Sequence, residues 1–152
     1  VDNHSAHWTG PASYSVSVDA KKFETWERNI AGKIGLAEAV RYANKLGMDN
    51  IELRVSALAK ELNSKLISLG NVTVLERSAY LSGIVTFQKE GIQATELARS
   101  LFEGKINTSI SKQENAQLDL AANNVGDVNR ASIHYYNTSD EIDRFVDAVA
   151  KC

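Results

Sequence analysis

The chain has 152 residues, the length of one ordinary domain, with 43% hydrophobic and 24% charged residues and a formal net charge of −2. This is the composition of a soluble globular protein, and without a Lys/Arg-dense run it offers no basic face for a nucleic-acid partner. No apolar run reaches the ~20 residues of a membrane helix, and residues 1–20 lack a basic start followed by an apolar stretch, so no membrane partner is expected and the cytoplasm is the expected location.

The only cysteine, Cys152, is the last residue, which excludes an internal disulfide. Val1 in place of an initiating Met points to a trimmed or processed product, or to a piece of something larger.

Residues 1–22 are expected to form an irregular lead-in with one short strand, since residues 1–12 hold the only proline and no apolar period, while Tyr14, Val16 and Val18 alternate with serines. From Ile34 to Leu46 the apolar residues Leu36, Ala39, Val40, Ala43 and Leu46 fall at helical spacing, and Gly47 is a stop able to take φ > 0. A second helix capped by Asp49 or Asn50 carries the stripe Ile51, Val55, Leu58, Leu62, Leu66 and Leu69, ended by Gly70. At 1.5 Å per residue it would run about 30 Å.

Val72–Leu75 and Gly83–Phe87 are short and β-branched and read as strands. A shorter helix from about Ala94 to Phe102 buries Leu97, Leu101 and Phe102, and Ile106–Ile110 alternates as a further strand. Residues 111–129 are polar and weakly periodic. A connection longer than ~12–15 residues is more often functional than idle, which marks this one as a candidate substrate-facing loop. A strand Arg130–Tyr135 and a helix Ser139–Ala150 close the chain, with Thr138 and Glu141 spaced for a capping box and Ile142, Phe145, Val146 and Val149 as the buried stripe. The expected fold is α+β: a small three- to four-stranded, mainly antiparallel sheet with helices packed on one face, preceded by a long connecting helix.

Few residues stand out as chemistry. His4 and His7 have i, i+3 spacing, but zinc takes three or four ligands and no thiolate is near, so no metal is expected. The glycines form neither phosphate-binding signature, and no serine sits in a G-x-S-x-G elbow. Arg130 has two readings. It is a surface arginine whose stem lies on apolar neighbours, or a planar fork that grips a ligand carboxylate with two parallel hydrogen bonds. His134 would share its face of the strand, the side-chain period being 2.

The stretch "NRASIHYYNTSDEIDRFVDAV" resembles the C-terminal end of class V aminotransferase-like enzymes, the fold-type I pyridoxal phosphate group that includes cysteine desulfurases and isopenicillin N epimerase. "DAKKFETWERNIAGKIGLAEAVRYANKLGMDNI" is similar to that family's F-E-x-G-T-x-N and G-L-x-x-A segment, and "SGIVTF" followed by a helix and Gly104-Lys-Ile106 is a third match. The resemblance runs from about Asp19 to the last residue. It implies that residues 23–152 are the small C-terminal domain of a pyridoxal phosphate-dependent enzyme and that Arg130 binds the substrate α-carboxylate. His134 and the loop 111–129 would be further substrate contacts, and Asn29 would match a cofactor-binding position.

The same resemblance implies partners: an N-terminal large domain that carries the Schiff-base lysine, a second copy in a homodimer, and a small carboxylate ligand. Trp26 and Glu27 stand where the family has Gly-Thr, and an anionic Glu27 repels a phosphate rather than binding it. The loop "SKQENAQLD" has no cysteine where a desulfurase needs its nucleophile. The expected whole is therefore an epimerase-, lyase- or transaminase-like enzyme of amino acids or amine-bearing carboxylates. The chain alone would have no catalytic residue, bind no cofactor and be inactive. The alternative is a stand-alone, non-catalytic binding or dimerisation module derived from the family.

Overall fold

In a computed structural model, which describes residues 5–24, 28–76 and 78–152, the chain divides into two compact units, residues 1–46 and Gly47–Cys152. His4, Trp26 and Glu27 lie outside the described residues.

The first unit opens with a hairpin, β1 (Ala6–Gly10) paired antiparallel with β2 (Ser13–Val16) and irregular between Trp8 and Gly10. The strand over 6–10 departs from the expected irregular lead-in. Pairing creates it rather than burial: three of its five residues are exposed, so no hydrophobic alternation marks it. A 3₁₀ turn at Ala20–Phe23 follows, capped by the Asp19 carboxylate accepting from the Lys21 N–H at 3.0 Å. Helix α1 spans Ile30–Leu46 and exposes Ile30, Ile34, Leu36, Val40 and Tyr42.

The second unit begins at Gly47, whose φ of 87° is the stop that its lack of a Cβ permits. Helix α2 (Met48–Ile67) starts directly after it, so Gly47 stands at the N-cap position in place of the expected Asp49 or Asn50. The predicted stripe is the buried one: Leu58, Leu62 and Leu66 are fully enclosed and Ile51 and Val55 half-buried.

Then come β3 (Val72–Val74), β4 (Ile84–Lys89), α3 (Ala94–Glu103), β5 (Ser109–Ser111), β6 (Val128–Ser132) and α4 (Ser139–Lys151). The strands form one antiparallel sheet in the order β3-β4-β6-β5. The α+β expectation of a four-stranded sheet with helices on one face holds. Val85, Phe87 and Ala131 on that face pack against Leu58, Leu62, Leu97, Leu101, Phe145 and Val149 in one core, with Phe87 edge-on to Phe145 at 5.8 Å. Phe102 is not part of it. It is 67% exposed, one position round α3 from the buried Leu101.

Lys89 is the one buried lysine among the described residues. Its ammonium donates to the Val149 and Ala150 carbonyls at 2.7 and 3.1 Å, satisfying the C-terminal end of α4 where the helix dipole favours a cation. At the other end of α4 the capping box forms as expected, with Glu141 N–H donating to Thr138 Oγ1 and Thr138 N–H to the Glu141 carboxylate.

Candidate functional site

β6 begins two residues earlier than the sequence suggests. Arg130 therefore does not open a strand but sits at the centre of one, flanked by Thr86 of β4 and Ser109 of β5. Alternation sends Asn129 and Ala131 toward the helices and Arg130 to the other face. Both backbone groups of Thr86 face β3, where Leu75 N–H donates to its carbonyl at 3.0 Å and the Glu76 carboxylate accepts from its N–H at 2.8 and 2.9 Å. The Thr86–Arg130 pair is thus the non-hydrogen-bonded kind, whose Cα atoms approach to about 4.5 Å with side chains close together.

Glu76 also accepts from Thr86 Oγ1 at 2.7 Å. A polar row thus crosses the open face of the sheet: carboxylate, hydroxyl, guanidinium, hydroxyl, from Glu76 through Thr86 and Arg130 to Ser109. Arg130 is half-buried and its guanidinium pairs with no described residue; Nε is shut off from water and lacks a hydrogen-bond partner. Buried donors are nearly always satisfied, and a planar fork of unspent N–H groups suits a carboxylate. Sequence reasoning missed Glu76 and Thr86. Thr86 is a strand residue like any other in "IVTFQK", and Glu76 earns its place by capping a strand that lies ten positions on.

His134 falls elsewhere. β6 ends at Ser132, so His134 does not share a strand face with Arg130. It lies in a turn, its N–H donating to Asn137 Oδ1 at 2.8 Å and its ring stacked on Tyr136 at 4.7 Å and against Tyr135 at 4.3 Å. Arg54 of α2 donates to the Asn137 carbonyl at 2.9 Å and pins that turn.

The connection 111–129 is not a featureless loop. It holds a 3₁₀ turn at Gln113–Asn115 and a π-helical turn at Gln117–Ala121, buries Leu120 and leaves Leu118 97% exposed. Its return is tied down at Asp127, whose carboxylate accepts from Gln113 N–H and whose carbonyl accepts from Gln88 on the Arg130 face of the sheet. Asn29 belongs to the other unit, where its side-chain oxygen accepts from Gly32 N–H at 2.7 Å and caps α1.

These features define an α+β sheet domain with one face covered by helices and one polar face centred on an unspent guanidinium. A family model for class-V aminotransferases matches residues 9–145, and the chain belongs to that family. A probable cysteine desulfurase of Xylella fastidiosa is 37% identical over 131 residues, which are 86% of this chain and 31% of that protein. The apo cysteine desulfurase of Thermococcus onnurineus NA1 has the same fold, with a TM-score of 0.78 at 24% identity over 99% of this chain and 38% of that one. The cystine C–S lyase C-DES, solved with its product cysteine persulfide, superposes with a TM-score of 0.69 at 20% identity, over 99% of this chain and 37% of its own. The chain thus spans about a third of the length of these relatives.

Pyridoxal phosphate is held covalently by a lysine amine and needs groups placed around its ring and phosphate. Two described residues that such a site could draw on are otherwise engaged. The ammonium of the buried Lys89 is committed to the end of α4, and the Asn29 side-chain oxygen is committed to the start of α1. Among the described residues the groups with displaced pKa lie on the helices. Lys65 is raised by Asp143 and Glu61, and Glu61 is lowered by Lys65 and Ser139. Both belong to an ion-pair network between α2 and α4.

Proposed function

We propose that this chain is the substrate-carboxylate-binding, C-terminal part of a pyridoxal phosphate-dependent enzyme acting on amino acids or amine-bearing carboxylates. The observation that carries the reading is Arg130: a guanidinium at the centre of a sheet, desolvated at Nε and paired with no described residue. A ligand carboxylate is the partner it lacks, and each charge-assisted hydrogen bond there contributes about 1.5–3 kcal/mol. Family membership supports the cofactor, which the rest of the polypeptide would hold. Dimerisation belongs to the same reading and is supported by the apolar residues exposed on α1.

Within the family, epimerase-, lyase- or transaminase-like chemistry is favoured over sulfur abstraction, which needs a thiolate nucleophile near the substrate. The only cysteine of this chain is Cys152, and its Sγ lies within hydrogen-bond distance of Ser100 Oγ of α3 and Ala148 O of α4, at 3.1 and 3.2 Å. That thiol lies in the helix layer, with the sheet between it and the Arg130 face.

The test compares amino-acid substrates with their carboxamides on the natural polypeptide that carries this chain. Wild type is expected to prefer the acid by about tenfold or more in KM, and Arg130→Ala to erase the preference. Retention of the acid preference in Arg130→Ala would overturn the assignment.

A further inference from the structure

A cavity lies on the opposite side of the sheet from Arg130. Just before β5 the segment Lys105–Thr108 splays away from the end of β6, leaving a wedge of about 330 Å³. Its floor is apolar, formed by Leu62, Ala131, Ile142 and Phe145. Ala131 is on the helix side of β6, whereas Arg130 is on the other, so this wedge and the Arg130 face are separate places.

The rim is cationic. Lys105 holds a left-handed backbone, φ 62°, and makes no ion pair with any described residue. Arg144 spends one Nη2 hydrogen bond on the Gly104 carbonyl at 3.0 Å, which fixes its guanidinium at the rim and leaves its other donors over. The one carboxylate in the lining, Glu141, is occupied by Thr138 N–H and Asn137 Nδ2 at 2.9 and 3.2 Å. Thr108 Oγ1 is buried there with no hydrogen-bond partner, a donor that an oxygen seated in the wedge would satisfy.

We propose that this wedge binds a monocarboxylate with a compact apolar tail, a branched aliphatic or aryl-aliphatic acid. The head would lie between Lys105 and Arg144 and the tail on Phe145, Ile142 and Leu62. At about 30 Å³ per water-sized group the volume takes about eleven non-hydrogen atoms, the size of 3-phenylpropanoate. A dianion suits it less well, because Glu141 stands in the same lining. An extended basic or polar peptide would leave the apolar floor unfilled.

The test is titration of all 152 residues of this chain with 3-phenylpropanoate, followed by ¹H–¹⁵N shifts and calorimetry. Saturable shifts are expected at the amides of Ile106–Thr108 and Ile142–Phe145, and Arg130→Ala should leave the affinity unchanged. Losing the charge-assisted contact, either through Lys105→Glu or by using the neutral 3-phenylpropanol, is expected to weaken binding by about tenfold. Circular dichroism of Lys105→Glu confirms that the fold survives. Three outcomes overturn the proposal: no saturable shift at those amides, equal affinity for the alcohol, or loss of binding in Arg130→Ala, which would move the ligand to the other face.

Discussion

At the scale of single residues, positions near the site are fixed by contacts that tolerate no added atom. Gly83, just before β4, accepts from the Ile133 N–H at 2.6 Å, just past the end of β6. A Cβ there would stand 2.3 Å from the Ile133 carbonyl oxygen and 3.0 Å from a Val55 methyl. The obstacle is backbone, so no side chain can swing clear, and the β4–β6 contact beyond Ser132 would have to open. Gly83→Ala is expected to destabilise the chain by about 1–3 kcal/mol, as overpacked sites do. Urea unfolding measures this, and a loss below about 0.5 kcal/mol, the level of an ordinary surface substitution, would mean that the strand end yields freely.

At the scale of elements, α4 shows how much of this fold is written locally. Its capping box and its stripe Ile142, Phe145, Val146 and Val149 are short-range patterns, and both appear as expected. The Glu141 carboxyl is held below the ordinary carboxylate range, first by the backbone N–H of Thr138 and then by the Asn137 amide. A carboxyl whose pKa is lower folded than unfolded stabilises the native state above its unfolded pKa, about 4.3, and loses that contribution as pH falls through the folded value. Wild type is therefore expected to exceed Glu141→Gln in urea midpoint at neutral pH, with the gap closing in acid. A gap that stays constant from pH 7 to pH 3 would show that the charge of Glu141 contributes nothing to the cap.

Other elements were legible only in part, for reasons that are also physical. The stripe of α2 and the glycine stop at Gly47 are periodic or conformational signals and survive folding intact. β1 exists through pairing with β2, and the end of β6 depends on where β4 and β5 cease to accompany it, so a local pattern overran it to Tyr135. That overrun is what placed His134 on the Arg130 face. Arg130 itself was singled out by its motif, but its central strand position and the Glu76–Thr86 support emerge only from cross-strand register. The polar connection 111–129 lacked a helical period because its turns are 3₁₀ and π, which do not repeat at 3.6 residues.

At the scale of the whole molecule, the chain spans 31% of its Xylella relative, its Arg130 Nε lacks a partner among the described residues, and its one buried lysine is already engaged. The best-enclosed lysine, Lys89, has its ammonium hydrogen-bonded to two carbonyls at the end of α4, and a Schiff base would require it to leave them and shed its proton. Leaving those last-turn carbonyls without their cation is a costly exchange. The chain by itself, mixed with stoichiometric pyridoxal phosphate, is thus expected to show no protein-bound aldimine absorbance and no turnover of amino acids. Borohydride reduction followed by mass spectrometry is the check, because it traps any such adduct and locates it. A single modified lysine at stoichiometric yield, with the visible band that accompanies it, would show that this third of the family's length contains a cofactor site after all. Trace labelling spread over exposed lysines such as Lys33 and Lys45 would be ordinary surface chemistry.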